Sequence, residues 1–105
     1  MLFIESRIFT RFLNDYLNDD EYRELQAHLA DNPEAGDIIP RSGGIRKVRW
    51  GGSGRGKRGG TRIIYYWQVP DSEIYLLTLY SKGEMSDLSA KELEVLKRMV
   101  ETWRQ

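Results

Sequence analysis

Basic side chains are concentrated in the middle of this 105-residue chain, where they could grip a phosphate backbone. Between Ile38 and Pro70 there is no Asp or Glu, and this window carries a charge of +8, against −8 for the rest of the chain. Such segregation predicts an anionic partner for the middle and a basic partner for the remainder, and the alternative is a solvated basic face. The eight basic residues are Arg41, Arg46, Lys47, Arg49, Arg55, Lys57, Arg58 and Arg62.

Lys47 and Arg49 belong to a strand pattern, IRKVRW, and share a parity that directs both to one face. Two further strand patterns, TRIIYYWQV and IYLLTLY, follow along the chain. A sheet face that collects basic side chains and a tyrosine could bind RNA and stabilise charge that develops on a phosphate. The alternatives are strand packing for the tyrosine and an edge-strand surface charge for Arg62. The predicted set is Lys47, Arg49, Arg62, Tyr80 and Lys82.

The glycine-rich segment GGSGRGKRGG, from Gly51 to Gly60, matches two phosphate-binding motifs only in part. Its first seven residues fit a P-loop, but Arg58 stands where Ser or Thr would hold magnesium, and a GxGxxG match overlaps it. Both motifs need a helix directly after the loop, whereas a strand pattern follows here. We instead expect Arg55, Lys57 and Arg58 to contact phosphates from a loop that approaches its partner closely. The alternative is a simple hairpin connection.

Other chemistries find less support in the sequence. The absence of cysteine excludes disulfides, thiolate metal sites and a cysteine nucleophile. The single histidine, His28, is predicted to be a surface residue of a helix rather than a general base. The acids Asp15, Asp19, Asp20 and Glu21 crowd a helix junction, where they suit capping better than metal binding.

Hydrophobic periodicity predicts the elements that must position these residues. The expected order is β-α-α-β-β-β-α, which predicts an α+β fold with an antiparallel sheet. Residues 34–44 are expected to form a connecting loop. The predicted elements are a strand at 2–4, a helix over 8–17, a helix capped by Asn18 and ended by Asn32-Pro33, strands at 45–50, 61–69 and 74–80, and a final helix opened by a capping box at Ser89.

Length and composition predict a single domain that is soluble and cytoplasmic. Hydrophobic residues make up 40% of the chain and charged residues 30%, which is typical of a globular protein. There is no apolar run long enough to span a bilayer, so we expect no membrane partner. The start, MLFIESRIF, lacks the basic residues and the long apolar stretch of a signal peptide.

The stretch IRKVRW, the glycine-basic loop, TRIIYYW and LLTLYSKGEMSDLS together resemble the RelE-like toxins of bacterial type II toxin–antitoxin modules. The resemblance covers nearly the whole chain and is closer to the HigB-type branch. Its most specific part is KRGGTRIIYY followed by LLTLYSKGEMSDL. It implies a single RelE-like domain, 1–105, with a twisted antiparallel sheet and a C-terminal helix.

The resemblance also implies an activity and partners. It implies a ribosome-dependent endoribonuclease that enters the 30S A site, beside 16S rRNA, and cuts messenger RNA there. No metal or other cofactor is implied, because the RNA 2′-hydroxyl attacks its own phosphate. The implied protein partner is a cognate helix-turn-helix antitoxin, so that a monomeric free toxin forms a hetero-oligomer with it.

The implied catalytic residues follow by position from the matching motifs. Lys47 and Arg49 match the basic pair on the family's central strand, and Arg62 matches its phosphate-gripping arginine. Lys82 falls in the basic segment after the last strand, beside Tyr80. Positioning and electrostatics would then supply much of the rate.

One position departs from the founding pattern: Gly83 stands where that pattern has an arginine. The tyrosine of the family's C-terminal segment also has no counterpart, since Leu88 and Ser89 occupy that region. The general base is therefore open between Tyr80 and Lys82. The set expected to bind RNA or the ribosome is Arg46, Arg55, Lys57 and Arg58.

Two other functions remain open from the sequence. A toxin of the same fold could block a protein such as DNA gyrase, since that activity exists in the wider superfamily. A non-catalytic RNA-binding module would bind RNA with steep salt dependence and leave it intact.

Overall fold

The structure is a computed structural model that describes residues 1–50, 60–70, 72–84 and 87–104. In these residues, three helices flank a sheet of five strands. The elements in chain order are β1 (Leu2–Glu5), α1 (Arg7–Tyr16), α2 (Asp19–Asp31), β2 (Asp37–Ile38), β3 (Ile45–Trp50), β4 (Thr61–Gln68), β5 (Glu73–Ser81) and α3 (Ala90–Arg104).

The sheet has the strand order β1-β5-β4-β3-β2, so β4 is its central strand. The pairs β2–β3, β3–β4 and β4–β5 are antiparallel, as short connections favour. The first strand lies parallel to the last, which makes the sheet mixed. The predicted α+β fold with a C-terminal helix is confirmed, and only β1 departs from the predicted antiparallel pairing.

Helices α1 and α2 cover one face of the sheet. The Ser6 hydroxyl caps α1 by accepting from the Phe9 amide at 2.9 Å, and Asn18 and Glu21 form a reciprocal capping box on α2. Of the acids that were predicted to cap this junction, Glu21 therefore does so. The buried core on this face comprises Phe9, Leu17, Leu25, Leu29, Val48, Ile63, Tyr65, Ile74, Leu76 and Leu79.

Helix α3 covers part of the opposite face. The predicted capping box is present, because the Glu92 amide donates to the Ser89 hydroxyl and the Ser89 amide donates to the Glu92 carboxylate. Its buried core comprises Ile45, Ile64, Tyr75, Leu77, Tyr80, Leu96 and Val100. Ile45 and Ile64 share their face with Lys47, Arg49 and Arg62 by parity and register, so the basic residues continue the sheet face that α3 covers.

The one described strand that the sequence analysis did not predict is β2, inside the expected loop 34–44. Asp37 pairs with Lys47, and Ile38 pairs with Arg46. A two-residue strand is too short to show an alternating pattern, so periodicity could not reveal it. Its effect is to bring an acidic residue beside the basic face.

Candidate functional site

A cleft of about 550 Å³ lies at the basic end of the sheet. Lys47, Arg49 and Arg62 all line it, so the structure brings three of the predicted residues together. The antiparallel register places Arg49 directly across from Arg62, and Arg62 directly across from Tyr80. The remaining lining residues are Ala35, Asp37 and Val48.

Arg49 and Arg62 are like charges in directly opposed positions on neighbouring strands. Such a pair destabilises a sheet, whereas an anion bound beside both guanidinium groups would turn the repulsion into attraction. The geometry therefore suits a phosphate ligand better than it suits strand pairing alone.

Arg62 is the most buried charge in the cleft, with 7% of its surface exposed. It lies on the central strand, so the alternative of an edge-strand surface charge is wrong. Its Nη1 donates to the Gly60 carbonyl at 3.4 Å. A guanidinium held by its surroundings presents a fixed planar donor fork, which matches the oxygens of a phosphate.

Tyr80 is 3% exposed and packs in the core beneath α3, so the alternative of strand packing holds for its ring. Its hydroxyl is buried and has no hydrogen-bond partner within the described residues. Burial raises the pKa of Tyr80, the charge of Asp87 raises it further, and Arg62 opposes both. The hydroxyl therefore remains protonated at neutral pH, which suits a proton donor and argues against a general base.

Lys82 lies in the turn that follows β5 and is exposed. It is two residues beyond Tyr80 but is not among the described residues that line the cleft. It follows β5 directly, as the strand pattern predicted, and its part in the site stays a prediction.

Asp87 is a residue that the sequence analysis missed. Its Oδ1 lies 3.4 Å from Lys47 Nζ, and the two side chains are 65% and 32% exposed. Asp37 lies across from Lys47 on the neighbouring strand. Asp37 therefore lines the cleft, and Asp87 contacts one of the cations of the cleft from outside it. Asp37 immediately precedes the acid-free stretch of sequence, whereas Asp87 lies well beyond its end. The one available signal was that Asp87 belongs to the segment LLTLYSKGEMSDLS, which carries the family resemblance.

Arg46 does not line the cleft, because successive residues of a strand face opposite sides of the sheet and Arg46 directly precedes Lys47. Its Nη1 donates to the Gly36 carbonyl at 2.7 Å and to the Glu34 carbonyl at 3.2 Å, which ties β3 to the segment before β2. A Cβ at Gly36 would approach Tyr65 to 2.9 Å, so only glycine fits there. The other residues expected to bind RNA, Arg55, Lys57 and Arg58, lie outside the described residues.

His28 is half-buried in α2, and its ring centroid lies 5.2 Å from that of Trp50. This packing gives it a structural role. The described part of the chain has no group of His, Asp and Glu side chains that could hold a metal ion. None of its described helices is long and apolar enough to cross a bilayer.

A comparison with protein families gives one match that covers almost all of the sequence. Residues 3–105 match the family described as the RelE toxin of the RelE / RelB toxin-antitoxin system.

Proposed function

We propose that this chain, which belongs to the RelE toxin family, cleaves messenger RNA on the ribosome. As a member of that family it is the toxin of a toxin–antitoxin system, and an antitoxin is its partner. The toxin acts in the cytoplasm, where it enters the 30S A site beside 16S rRNA. The observation that carries the proposal is the row of Arg49, Arg62 and Tyr80 across three strands, in which both arginines line the basic cleft.

In the proposed reaction the RNA 2′-hydroxyl gives its proton to the solvent and its oxygen attacks the adjacent phosphorus. The bond from phosphorus to the 5′-oxygen breaks, which leaves a 2′,3′-cyclic phosphate on one fragment and a 5′-hydroxyl on the other. Arg49 and Arg62 flank the phosphate and stabilise the negative charge that grows on its oxygens. Lys47 adds a third positive charge from the same side of the cleft.

Tyr80 and Lys82 act at the β5 side of the phosphate. The protonated Tyr80 hydroxyl donates a hydrogen bond to a phosphate oxygen, which would give this buried group a partner that it does not find among the described residues. Lys82, from the exposed turn, places its ammonium charge beside the departing 5′-oxygen, which takes up a proton from the solvent.

The test is cleavage of a defined messenger RNA in a translation extract, with and without ribosomes. We expect the wild type to cut within codons only when ribosomes are present. Arg62→Ala should lower the rate by about 10²-fold, the usual cost of losing one donor to a developing oxyanion. The matched control is Arg23→Ala, which removes an exposed arginine of α2 that pairs with Asp20 far from the cleft.

Three results would contradict the proposal. The first is intact mRNA in the presence of ribosomes and wild-type toxin. The second is DNA damage without mRNA loss, which indicates a gyrase-type target. The third is salt-dependent RNA binding without cleavage, which indicates a binding module.

We also propose that this toxin belongs to the HigB-type branch, on the segments KRGGTRIIYY and LLTLYSKGEMSDL. Its partner is then a helix-turn-helix antitoxin, with which the monomeric toxin forms a hetero-oligomer. The neighbouring gene tests the branch directly, and light scattering of the purified toxin with and without that protein tests the assembly.

A further inference from the structure

The turn that carries Lys82 is held by one carboxylate, that of Glu84. Oε1 of Glu84 accepts a hydrogen bond from the Tyr16 hydroxyl and a second from the Ser81 amide, at 3.0 Å. The Glu84 amide in turn donates to the Ser81 carbonyl at 3.1 Å. The turn from Ser81 to Glu84 is therefore closed on itself and attached to the last residue of α1.

These contacts occur where the chain has little apolar surface to hold it. Lys82, Gly83 and Glu84 are all exposed, so hydrophobic burial does not fix the turn. The phenol of Tyr16 comes from a residue 68 positions earlier, and its ring packs against the core beneath α1. A well-anchored side chain thus restrains a segment that would otherwise be free to move.

We propose that Tyr16 and Glu84 are positioning residues, which hold the Lys82 backbone at the mouth of the cleft so that its amine reaches the departing oxygen. This inference rests on the proposed function of the cleft. In the free protein, Asp87 adds a further contact of the same connection, with Lys47. Fixing a reacting group in this way accounts for large factors in rate, and small displacements lose much of them.

The decisive experiment is a double-mutant cycle between Tyr16→Phe and Lys82→Ala, read out as kcat and KM for ribosome-dependent cleavage. We expect Tyr16→Phe to lower kcat about tenfold with KM unchanged, because the reacting group is misplaced while RNA binding is retained. In the Lys82→Ala background the same substitution should have no further effect, since the residue that it positions is gone.

Two conservative variants separate positioning from a general loss of structure. Glu84→Gln keeps an oxygen that can accept from both donors and should retain most of the activity, whereas Glu84→Ala should match Tyr16→Phe. The matched control is Tyr22→Phe, because Tyr22 also donates to a carboxylate, that of Glu5, at 2.5 Å, but touches no part of the Lys82 turn. It should leave kcat unchanged.

Amide hydrogen exchange in the free toxin gives a readout that does not depend on cleavage. Exchange of the Ser81 amide should be faster in Tyr16→Phe and Glu84→Ala, and unchanged in Tyr22→Phe. Unaltered exchange at Ser81, or an equal kcat loss from Tyr16→Phe with and without Lys82, would overturn the positioning role while the nuclease stands. A wild type that cuts no RNA would instead remove the nuclease and, with it, the role of the turn in cleavage.

Discussion

The two sides of the candidate site are held in different ways. On the β3–β4 side, Arg62 is buried on the central strand and Arg49 lies directly across from it, so the sheet itself fixes their spacing. On the β5–α3 side, Lys82 and Asp87 are exposed. Side-chain contacts of Glu84 and Asp87 hold the described residues of this connection. The sheet side suits a firm hold on the phosphate, and we call it the fixed side. We call the connection the adjustable side, because the position of Lys82 depends on side-chain contacts that one substitution can remove.

The largest expected effect comes from replacing Arg62 on the fixed side with lysine, and it is compared with replacing Lys82 on the adjustable side with arginine. Arg62→Lys keeps the charge but loses the planar fork on the fixed side, so cleavage should fall about tenfold to hundredfold. Lys82→Arg keeps a cation on the adjustable side and should change the rate by less than about threefold. Single-turnover cleavage of ribosome-bound mRNA measures both. Equal losses of cleavage rate in the two variants would show that the two sides of the site are equally constrained.

Two buried tyrosines extend the comparison to stability. The Tyr65 hydroxyl donates to the Pro33 carbonyl at 2.7 Å and accepts from the Gly36 amide at 2.8 Å. Tyr65→Phe should therefore lower the free energy of unfolding by about 1–3 kcal/mol. Tyr80→Phe removes a buried hydroxyl that has no hydrogen-bond partner in the part of the chain that the structure describes, and it should leave stability unchanged or raise it by about 0.5 kcal/mol.

Urea unfolding of both variants, with cleavage measured in parallel, checks this difference. Tyr80→Phe should lose activity while its stability is retained, which is expected of a side chain that serves function rather than folding. A destabilisation as large as that of Tyr65→Phe would mean that the Tyr80 hydroxyl has a structural partner.

Local patterns predicted much of the fixed side. The shared parity of Lys47 and Arg49 follows from the period of a strand, and the same rule applied to Arg46 would have directed it away from the cleft. The burial of Arg62 was not predictable, because charge alone cannot tell a central strand from an edge strand.

The adjustable side could not be predicted for a different reason. Its contacts join residues far apart in sequence, 40 positions for Lys47 and Asp87 and 68 for Tyr16 and Glu84. Hydrophobic periodicity reports which face of an element is buried, and it contains no information about which distant polar groups meet.

A smaller effect is expected from the acid on the adjustable side. The Asp87 carboxylate pairs with Lys47 in the free protein, so RNA that binds Lys47 as we propose would have to displace it. Asp87→Asn should tighten binding of a short single-stranded RNA by about twofold to fivefold, the range for an exposed ion pair. The dependence of log Kd on log salt should steepen by about 0.7, because one more cation is available to a phosphate.

The control for this change is Asp20→Asn, which breaks the exposed pair with Arg23 on α2 and should leave RNA affinity unchanged. Weaker binding by Asp87→Asn would show that Asp87 orients Lys47 towards RNA. Loss of cleavage with unaltered binding would instead assign Asp87 a part in proton transfer.

The smallest effect concerns the contact between Tyr16 and Glu84, and it is a shift in titration. Burial raises the pKa of Tyr16 from its ordinary 10.0 to about 12, and the hydrogen bond and charge of Glu84 contribute to the rise. Because the pKa of Tyr16 is higher in the folded than in the unfolded protein, the contribution of this contact to stability is fully present below pH 10 and is lost as the pH rises through about 12. The bond from Tyr16 lowers the pKa of Glu84, whose contribution is lost only as the pH falls through that lowered value.

The contact is therefore intact at neutral pH, and removing its charge should be visible in the alkaline range. In Glu84→Gln, ultraviolet difference absorbance should show the Tyr16 pKa moving from about 12 towards 10.0 without reaching it, because the burial remains. Tyr16→Phe identifies the transition by removing it. An unshifted transition in Glu84→Gln would show that the charge of Glu84 does not contribute to the raised pKa of Tyr16, which burial and the retained hydrogen bond would then explain.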